Sequence, residues 1–314
     1  MHGKKNVLVT GGLGNLGSWI SRYLAQKGYK IFILSQSAKY ELEGIEYTLI
    51  EADITDSHSL KKLEVITIDY CVHLASFNEF FLPDYPQKAL QINTLGTRNL
   101  LEVLSKKSIK HFIYFSTFHV YGVNEGIINE ESPLMPKNDY ASTHLFAEYY
   151  CSQFKSTHDL NYTILRLTNS YGCPMDNNSN KWYLALNDLT QSAYKHKEIL
   201  LQSNGEVQRD FIYMEDVASV VEKLLQKAPT NTIYNLSAKK SYKILELAKM
   251  VQSVYQQRYN VLLSIKINSK DTTLYEDLVV DNNKLKQLVG YNSTIMFTQE
   301  INKIFNLLDM KHER

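Results

Sequence analysis

The run Thr10-Gly11-Gly12-Leu13-Gly14-Asn15-Leu16-Gly17 holds four glycines, in a chain of 314 residues that has only 13. Just before it stands the apolar run Val7-Leu8-Val9-Thr10, and after it a helical stretch from Leu16 to Lys27 that Gly28 closes. The cluster reads both as Gly12-x-Gly14-x-x-Gly17 and as Gly11-x-x-Gly14-x-x-Gly17. A tight turn, close approach of backbone N–H groups to a pyrophosphate, and close helix–strand packing each require a missing side chain. The helix N-terminus adds partial positive charge. A glycine turn alone says little. Placed after the first strand of a βαβ unit, this one predicts a dinucleotide site that uses Gly11, Gly14, Asn15, Leu16 and Gly17.

Working outward, the apolar runs Ile31–Leu34, Tyr47–Asp53, Tyr70–Ala75, His111–Ser116 and Tyr162–Arg166 read as further buried strands. Helical stretches 89–106 and 140–157 fall between the later ones. Strands of this kind alternating with helices predict an α/β fold, a doubly wound parallel Rossmann sheet covered on both faces. Beyond about residue 170 the pattern loosens through the polar loop Pro174–Lys181. The expected division is a dinucleotide-binding domain from 1–173 plus 205–237, and a smaller mixed α/β substrate lobe from 174–204 plus 238–314. Ligands of such open sheets bind beyond the carboxyl ends of the strands.

Composition narrows the function. Lys+Arg 34 against Asp+Glu 33 gives a net charge of +1, without the field that gathers polyanions, so nucleic acid is not an expected partner. No apolar run is long enough to span a membrane, and the N-terminus reads straight into a strand without a signal-peptide core, which predicts a cytoplasmic protein. Cys71, Cys151 and Cys173 show neither CxxC spacing nor a histidine partner, so they read as small buried hydrophobes, and no metal site is expected.

The end of the second strand lacks the acidic residue expected for a ribose 2′-hydroxyl and reads Leu34-Ser35-Gln36-Ser37. No arginine stands ready for a 2′-phosphate, only Lys39 downstream. NAD is favoured, with Ser35 and Gln36 serving the hydroxyls, and NADP stays open.

Several ordered motifs resemble the NAD-dependent epimerase/dehydratase family, extended short-chain dehydrogenases acting on nucleotide sugars. Asp53-Ile54 resembles the pair that contacts adenine, and His73-Leu74-Ala75-Ser76 the segment beside the cofactor. Asn93-x-x-Gly96-Thr97 is similar to the family's helix signature, and Ser116-Thr117-Phe118-His119-Val120-Tyr121-Gly122 to its SSxxVYG. Arg166-Leu167-Thr168-Asn169-Ser170-Tyr171-Gly172 resembles a substrate-side run, and Gln208-Arg209-Asp210-Phe211-Ile212-Tyr213 one whose arginine meets the sugar diphosphate. The resemblance covers about residues 5 to 237. It implies NAD-dependent hydride transfer at C4 of a nucleoside-diphosphate sugar, in surface polysaccharide biosynthesis, by a homodimer or higher homo-oligomer.

Oxidising a secondary alcohol needs a base for the hydroxyl proton while hydride leaves the same carbon. Tyr140 is the expected base, with Thr117 as hydrogen-bond partner of the substrate oxygen. The resembling family places a lysine four residues after this tyrosine, on the same helix face. Here that place holds His144, able to meet a nicotinamide ribose hydroxyl but bringing no fixed charge to acidify Tyr140. The family's 4,6-dehydratases carry Asp-Glu inside SSxxVYG. This chain has Phe118 and His119 there, which disfavours loss of water.

A 4-dehydrogenase that forms a 4-keto sugar is the leading reading, with a 4-epimerase as the alternative. His119, Asn169 and Arg209 are the expected substrate contacts beside Thr117. A further reading from another class, a non-catalytic dinucleotide-binding regulator, predicts tight cofactor binding without sugar turnover. Lys181-Trp182-Tyr183, Glu79 and Tyr85 are candidate neighbours of the sugar. Tyr149, Tyr150 and Phe154 form an apolar stripe that reads either as core or as a dimer face.

Overall fold

The computed structural model describes residues 4–37, 41–79, 82–175 and 181–312. Its strands are β1 (Asn6–Thr10), β2 (Lys30–Ser35), β3 (Tyr47–Glu51), β4 (Tyr70–His73), β5 (His111–Thr117), β6 (Gly126–Ile128), β7 (Tyr162–Leu167), β8 (Asn169–Tyr171), β9 (Glu198–Leu200), β10 (Gln208–Tyr213), β11 (Thr232–Leu236), β12 (Ser241–Lys243), β13 (Ser264–Lys266) and β14 (Leu278–Val280). The helices are α1 (Asn15–Gln26), α2 (Tyr85–Ala89), α3 (Thr97–Ser105), α4 (Asp139–His158), α5 (Ala185–His196), α6 (Met214–Leu225), α7 (Ile244–Tyr259), α8 (Asn283–Val289) and α9 (Phe297–His312).

Continuous apolar strands need cover on both faces, and the central sheet has it. Its seven strands run β11-β7-β5-β4-β1-β2-β3, every pair parallel. Alternation along one strand sorts side chains between the faces. Val7 and Val9 join Ile20 and Leu24 of α1 and Val217 and Val221 of α6 in one core. Leu8 turns to the other, with Leu100 and Leu104 of α3 and Ala147 and Phe154 of α4. Cys71 and Cys151 lie in that second core and Cys173 is partly buried, all three unbridged.

The strand order turns back between β1 and β4: β1 leads to β2 on one side and meets β4 on the other. Such a switch point leaves a crevice at the carboxyl ends. The helical stretch expected over 89–106 is interrupted, since Leu90–Gly96 winds as a wider π-helical turn before α3.

Residues 205–237, expected to return to the main sheet, divide between two sheets. β10 lies in a three-stranded sheet, β12-β10-β8, and only β11 reaches the edge of the large one. Around β8 and β10, helices α5, α7 and α9 bury a separate core that includes Leu189, Val251, Ile304 and Phe305. Two short parallel pairs, β9 with β13 and β6 with β14, complete the architecture of the described residues.

Candidate active site

β1 ends in the glycine loop, and the backbone there leaves no choice of residue. Gly11 has φ of +67°, and a Cβ on it would stand 3.0 Å from the Ala75 nitrogen. A Cβ on Gly17 would lie 2.1 Å from the Gly11 carbonyl oxygen, inside backbone. Gly14 differs: a Cβ there would meet only that oxygen, at 3.1 Å, so its outer face is open.

Hydrogen bonds hold the loop in place. Gly11 N donates to Leu34 O at 3.0 Å and Gly14 N to Gly11 O at 2.9 Å. Thr10 Oγ1 accepts from the Leu74 and Ala75 nitrogens at 3.2 and 3.1 Å and pairs with His73 Nδ1 at 2.6 Å. Gly14 caps α1 without a side chain, so the first-turn N–H groups await an acceptor. The Asn15 side-chain amide is buried with neither of its polar atoms hydrogen-bonded.

From this loop opens a cleft of about 680 Å³, the size of a cofactor-binding cavity. Gly11, Gly14, Asn15, Leu16 and Gly17 line one end, with Leu74, Ala75 and Ser76 beside them. An open glycine face, uncapped helix N–H groups and an unsatisfied amide fit a pyrophosphate well.

Farther along the cleft, β5 delivers Thr117 and the start of α4 delivers Tyr140. α4 starts where it does because Asn138 Oδ1 accepts from Ala141 N at 2.8 Å. Thr117 and Tyr140 line the same cleft, and the threonine hydroxyl lies near enough to favour the ionised phenol. Burial pushes the Tyr140 phenol up to about 12, against the lowering effect of the nearby Thr117 hydroxyl.

One turn on, the His144 ring lies edge-on to Tyr140 with centroids 4.6 Å apart. Burial, reinforced by His119, drops its imidazole to about 3, so it is neutral at ordinary pH. Nδ1 of His144 sits 2.7 Å from the Tyr114 hydroxyl, while Nε2 is buried without a partner.

His119 and Asn169 also line the cleft, the His119 ring edge-on to Tyr140 with centroids 6.2 Å apart. Asn169 Nδ2 donates to Asp210 O at 3.0 Å. Burial, and then the nearby Arg209 cation, hold His119 below its ordinary value. Lys181 Nζ donates to Asn78 Oδ1 and to the Tyr183 hydroxyl, both at 2.9 Å, and these three residues close over one wall.

The model of the family described as NAD dependent epimerase/dehydratase matches residues 7–237. The chain belongs to the NAD-dependent epimerase/dehydratase family. It is an NAD-dependent enzyme of the extended short-chain dehydrogenase type, acting in a family of nucleotide-sugar epimerases and dehydratases.

Among curated relatives, it is 27% identical to a dTDP-D-glucose 4,6-dehydratase of Dictyostelium discoideum, over 80% of this chain and 62% of that protein. It is 25% identical to a putative UDP-glucose 4-epimerase of Methanocaldococcus jannaschii, over 96% of this chain and 97% of the other. Its fold superposes with a TM-score of 0.84 on a UDP-N-acetylglucosamine 4-epimerase from Methanobrevibacter ruminantium, at 24% identity over 98% and 99% of the two chains.

Within this epimerase/dehydratase chain, Ser35, Gln36, Asp53, Ile54, Asn93 and Arg209, expected at the cofactor or substrate, do not line the cleft, and neither do Glu79 and Trp182. Ser35 Oγ donates to Ser37 O at 3.0 Å. Asp53 Oδ1 accepts from the Thr55 amide and hydroxyl, both at 2.8 Å, and with the nearby Gln36 side chain these hold its carboxyl below the ordinary value despite burial. Ile54 is packed where a Cβ on Gly96 would come within 2.7 Å of it. Asn93 Oδ1 accepts from Phe77 N at 2.6 Å and its Nδ2 donates to Thr143 Oγ1 at 3.0 Å, bracing the loop after β4. Arg209 is part-buried, near enough to His119 for its charge to be felt there. Lys39 lies outside the described residues.

Arg166, which opens the motif read as substrate-side, is buried under the site. It meets both oxygens of Glu148, at 2.7 and 3.0 Å, and the Tyr121 hydroxyl at 3.1 Å. Asn78 and Asn187 line the cleft without belonging to any motif. Asn187 Nδ2 donates to Lys181 O at 3.1 Å, a contact across six residues that sequence spacing does not single out. Along the stripe on α4, Phe154 is core at 3% exposure whereas Tyr149 is 59% exposed.

Proposed function

We propose that the protein oxidises C4 of a nucleoside-diphosphate sugar and releases the 4-keto sugar. The convergence of Thr117 and Tyr140 on the cleft that the glycine loop opens carries this reading. Asn15 and the first-turn N–H groups of α1 hold the pyrophosphate, Leu74 to Ser76 flank the nicotinamide half, and His144 meets its ribose. Ser35, Gln36, Asp53 and Ile54, at the ends of β2 and β3, border the adenosine end, and Asn93 fixes the loop between. When bound, NAD accepts hydride from the sugar carbon. Thr117 holds the C4 oxygen and Tyr140 removes its proton as the carbonyl forms.

A phenol held up to about 12 is a weak base at neutral pH. Position 144 offers no fixed cation to correct it, so Tyr140 would depend on the positive charge that oxidised NAD would bring when bound. Asn169 and His119 face the sugar, and the Arg209 cation near His119, outside the cleft wall, favours the sugar's diphosphate by its charge. Phe118 and His119 offer no carboxylate for proton transfer at C5 and C6, which disfavours dehydration. Retention and return of the hydride, giving a 4-epimerase, is the second reading, favoured by likeness along 97% of a putative UDP-glucose 4-epimerase.

The reaction prepares activated sugars for surface polysaccharide in the cytoplasm. No helix of the described residues is long and apolar enough to cross a membrane. The exposed Phe146 and Tyr149 of α4 suit pairing with a second copy. Purified protein with NAD and a panel of nucleotide sugars should generate reduced nicotinamide absorbance, or turn over substrate without net absorbance if it epimerises. NMR of the product separates the two. No turnover of any sugar over a wide pH range would leave a dinucleotide-binding regulator as the surviving reading.

A further inference from the structure

Tyr114 lies on β5, fully buried beneath α4, and does not line the cleft. Its only hydrogen-bond partner among the described residues is Nδ1 of His144, at 2.7 Å. The two rings stack, with centroids 5.9 Å apart and planes at 27°. On its other side His73 lies against the Tyr114 ring at 5.6 Å. That imidazole is already committed through both nitrogens, to Thr10 Oγ1 at 2.6 Å and Thr97 Oγ1 at 2.8 Å. Tyr114 therefore has one place to send its hydroxyl proton.

If His144 carried its proton on Nδ1, that N–H would donate to the phenol oxygen. The Tyr114 O–H would then be buried with no acceptor, an arrangement native proteins avoid. If Tyr114 donates to a bare Nδ1, its O–H is satisfied and the proton moves to Nε2. His144 is 3% exposed, lines the cleft, and Nε2 has no partner. An unpaired N–H in that position calls for an acceptor from a ligand.

We propose that Tyr114 is a positioning residue that locks His144 in its Nε2–H form, so that the imidazole presents one fixed donor to a ribose hydroxyl of the bound dinucleotide. A lysine at position 144 would need no such lock, because an ammonium donates in every orientation. The inference rests on the family's use of NAD and on His144 meeting its ribose, and is independent of which sugar carbon is oxidised.

Nitrogen NMR of protein labelled at histidine, without ligand, reads the tautomer directly. The His144 signals are assigned by their loss in His144→Lys. The expected result is an unprotonated Nδ1 and a protonated Nε2 in the native chain, and a shifted or mixed tautomer in Tyr114→Phe. A protonated Nδ1 in the native chain, or an unchanged tautomer in Tyr114→Phe, would overturn the proposal.

NAD binding by calorimetry gives the second arm, with thermal melts confirming that each variant folds. Tyr114→Phe should weaken NAD by about fivefold in the native background, the worth of one neutral hydrogen bond. In the His144→Lys background the same change should have no effect. Equal losses in both backgrounds would make Tyr114 a packing residue only. Failure to turn over any sugar would count against the proposed reaction and leave both of these readouts intact.

Discussion

Helix α4 carries two sets of buried polar groups along its length, and they are treated in opposite ways. In its middle, Glu148 receives Arg166 through both oxygens and takes the Ser116 hydroxyl at 2.5 Å, while Tyr121, bonded to Arg166, passes its own proton to Asn235 at 2.7 Å. Every partner is protein, and the set ties α4 to β5, β7 and β11. Near its start, Tyr140 has Thr117 and a cleft, and His144 has Tyr114 and an unpaired nitrogen. Burial is equally deep at Glu148 and His144, each 3% exposed. Exposure therefore does not separate structure from chemistry on this helix; the completeness of hydrogen bonding does.

The contrast is broken most severely by Tyr140→Phe, which removes the proposed base and leaves the helix intact. Turnover should fall by about a thousandfold while NAD affinity and melting temperature hold. Initial rates beside calorimetric binding check this, and substantial retained rate would remove Tyr140 from the role. Glu148→Gln attacks the satisfied set. It leaves the Arg166 cation buried without its counter-charge and should cost about 3 kcal/mol in denaturant titration. NAD affinity of the fraction that folds should be nearly unchanged. A comparable loss should follow Gly17→Ala, about 3 kcal/mol, because a Cβ 2.1 Å from the Gly11 oxygen forces the loop apart. Here NAD affinity must fall as well, which sets this site apart from Glu148.

The same contrast explains what the sequence revealed. The glycine loop was legible because each glycine answers a local constraint of backbone and helix end, and spacing alone records it. The central sheet was legible because continuous apolar strands have few other fates. The role of Arg166 was not legible, because an arginine in a motif looks alike whether it meets a ligand or a buried glutamate eighteen positions away. Asn78, Lys181 and Asn187 come together only through tertiary packing of the segment after residue 174, which has no periodicity to follow. The split of 205–237 between two sheets escaped for a related reason, since β10 is as apolar in its second half as a central strand. His144 was visible as a departure at position four after the tyrosine, whereas its dependence on Tyr114 required the distance between β5 and α4.

In the proposed reaction Tyr140 works as a base beside a neutral imidazole. Its phenol is held up to about 12 by burial, and the reactive form is the phenolate. Across the neutral range kcat/KM should therefore climb with pH, about tenfold per unit. An ammonium at position 144 favours the phenolate and lowers its pKa, so the rising limb must move to lower pH. The decisive measurement is the pH–rate profile of native protein against His144→Lys with the same nucleotide sugar. The account predicts a shift of at least about one pH unit toward acid in the variant, with its largest advantage near neutrality. Superimposable profiles would contradict it.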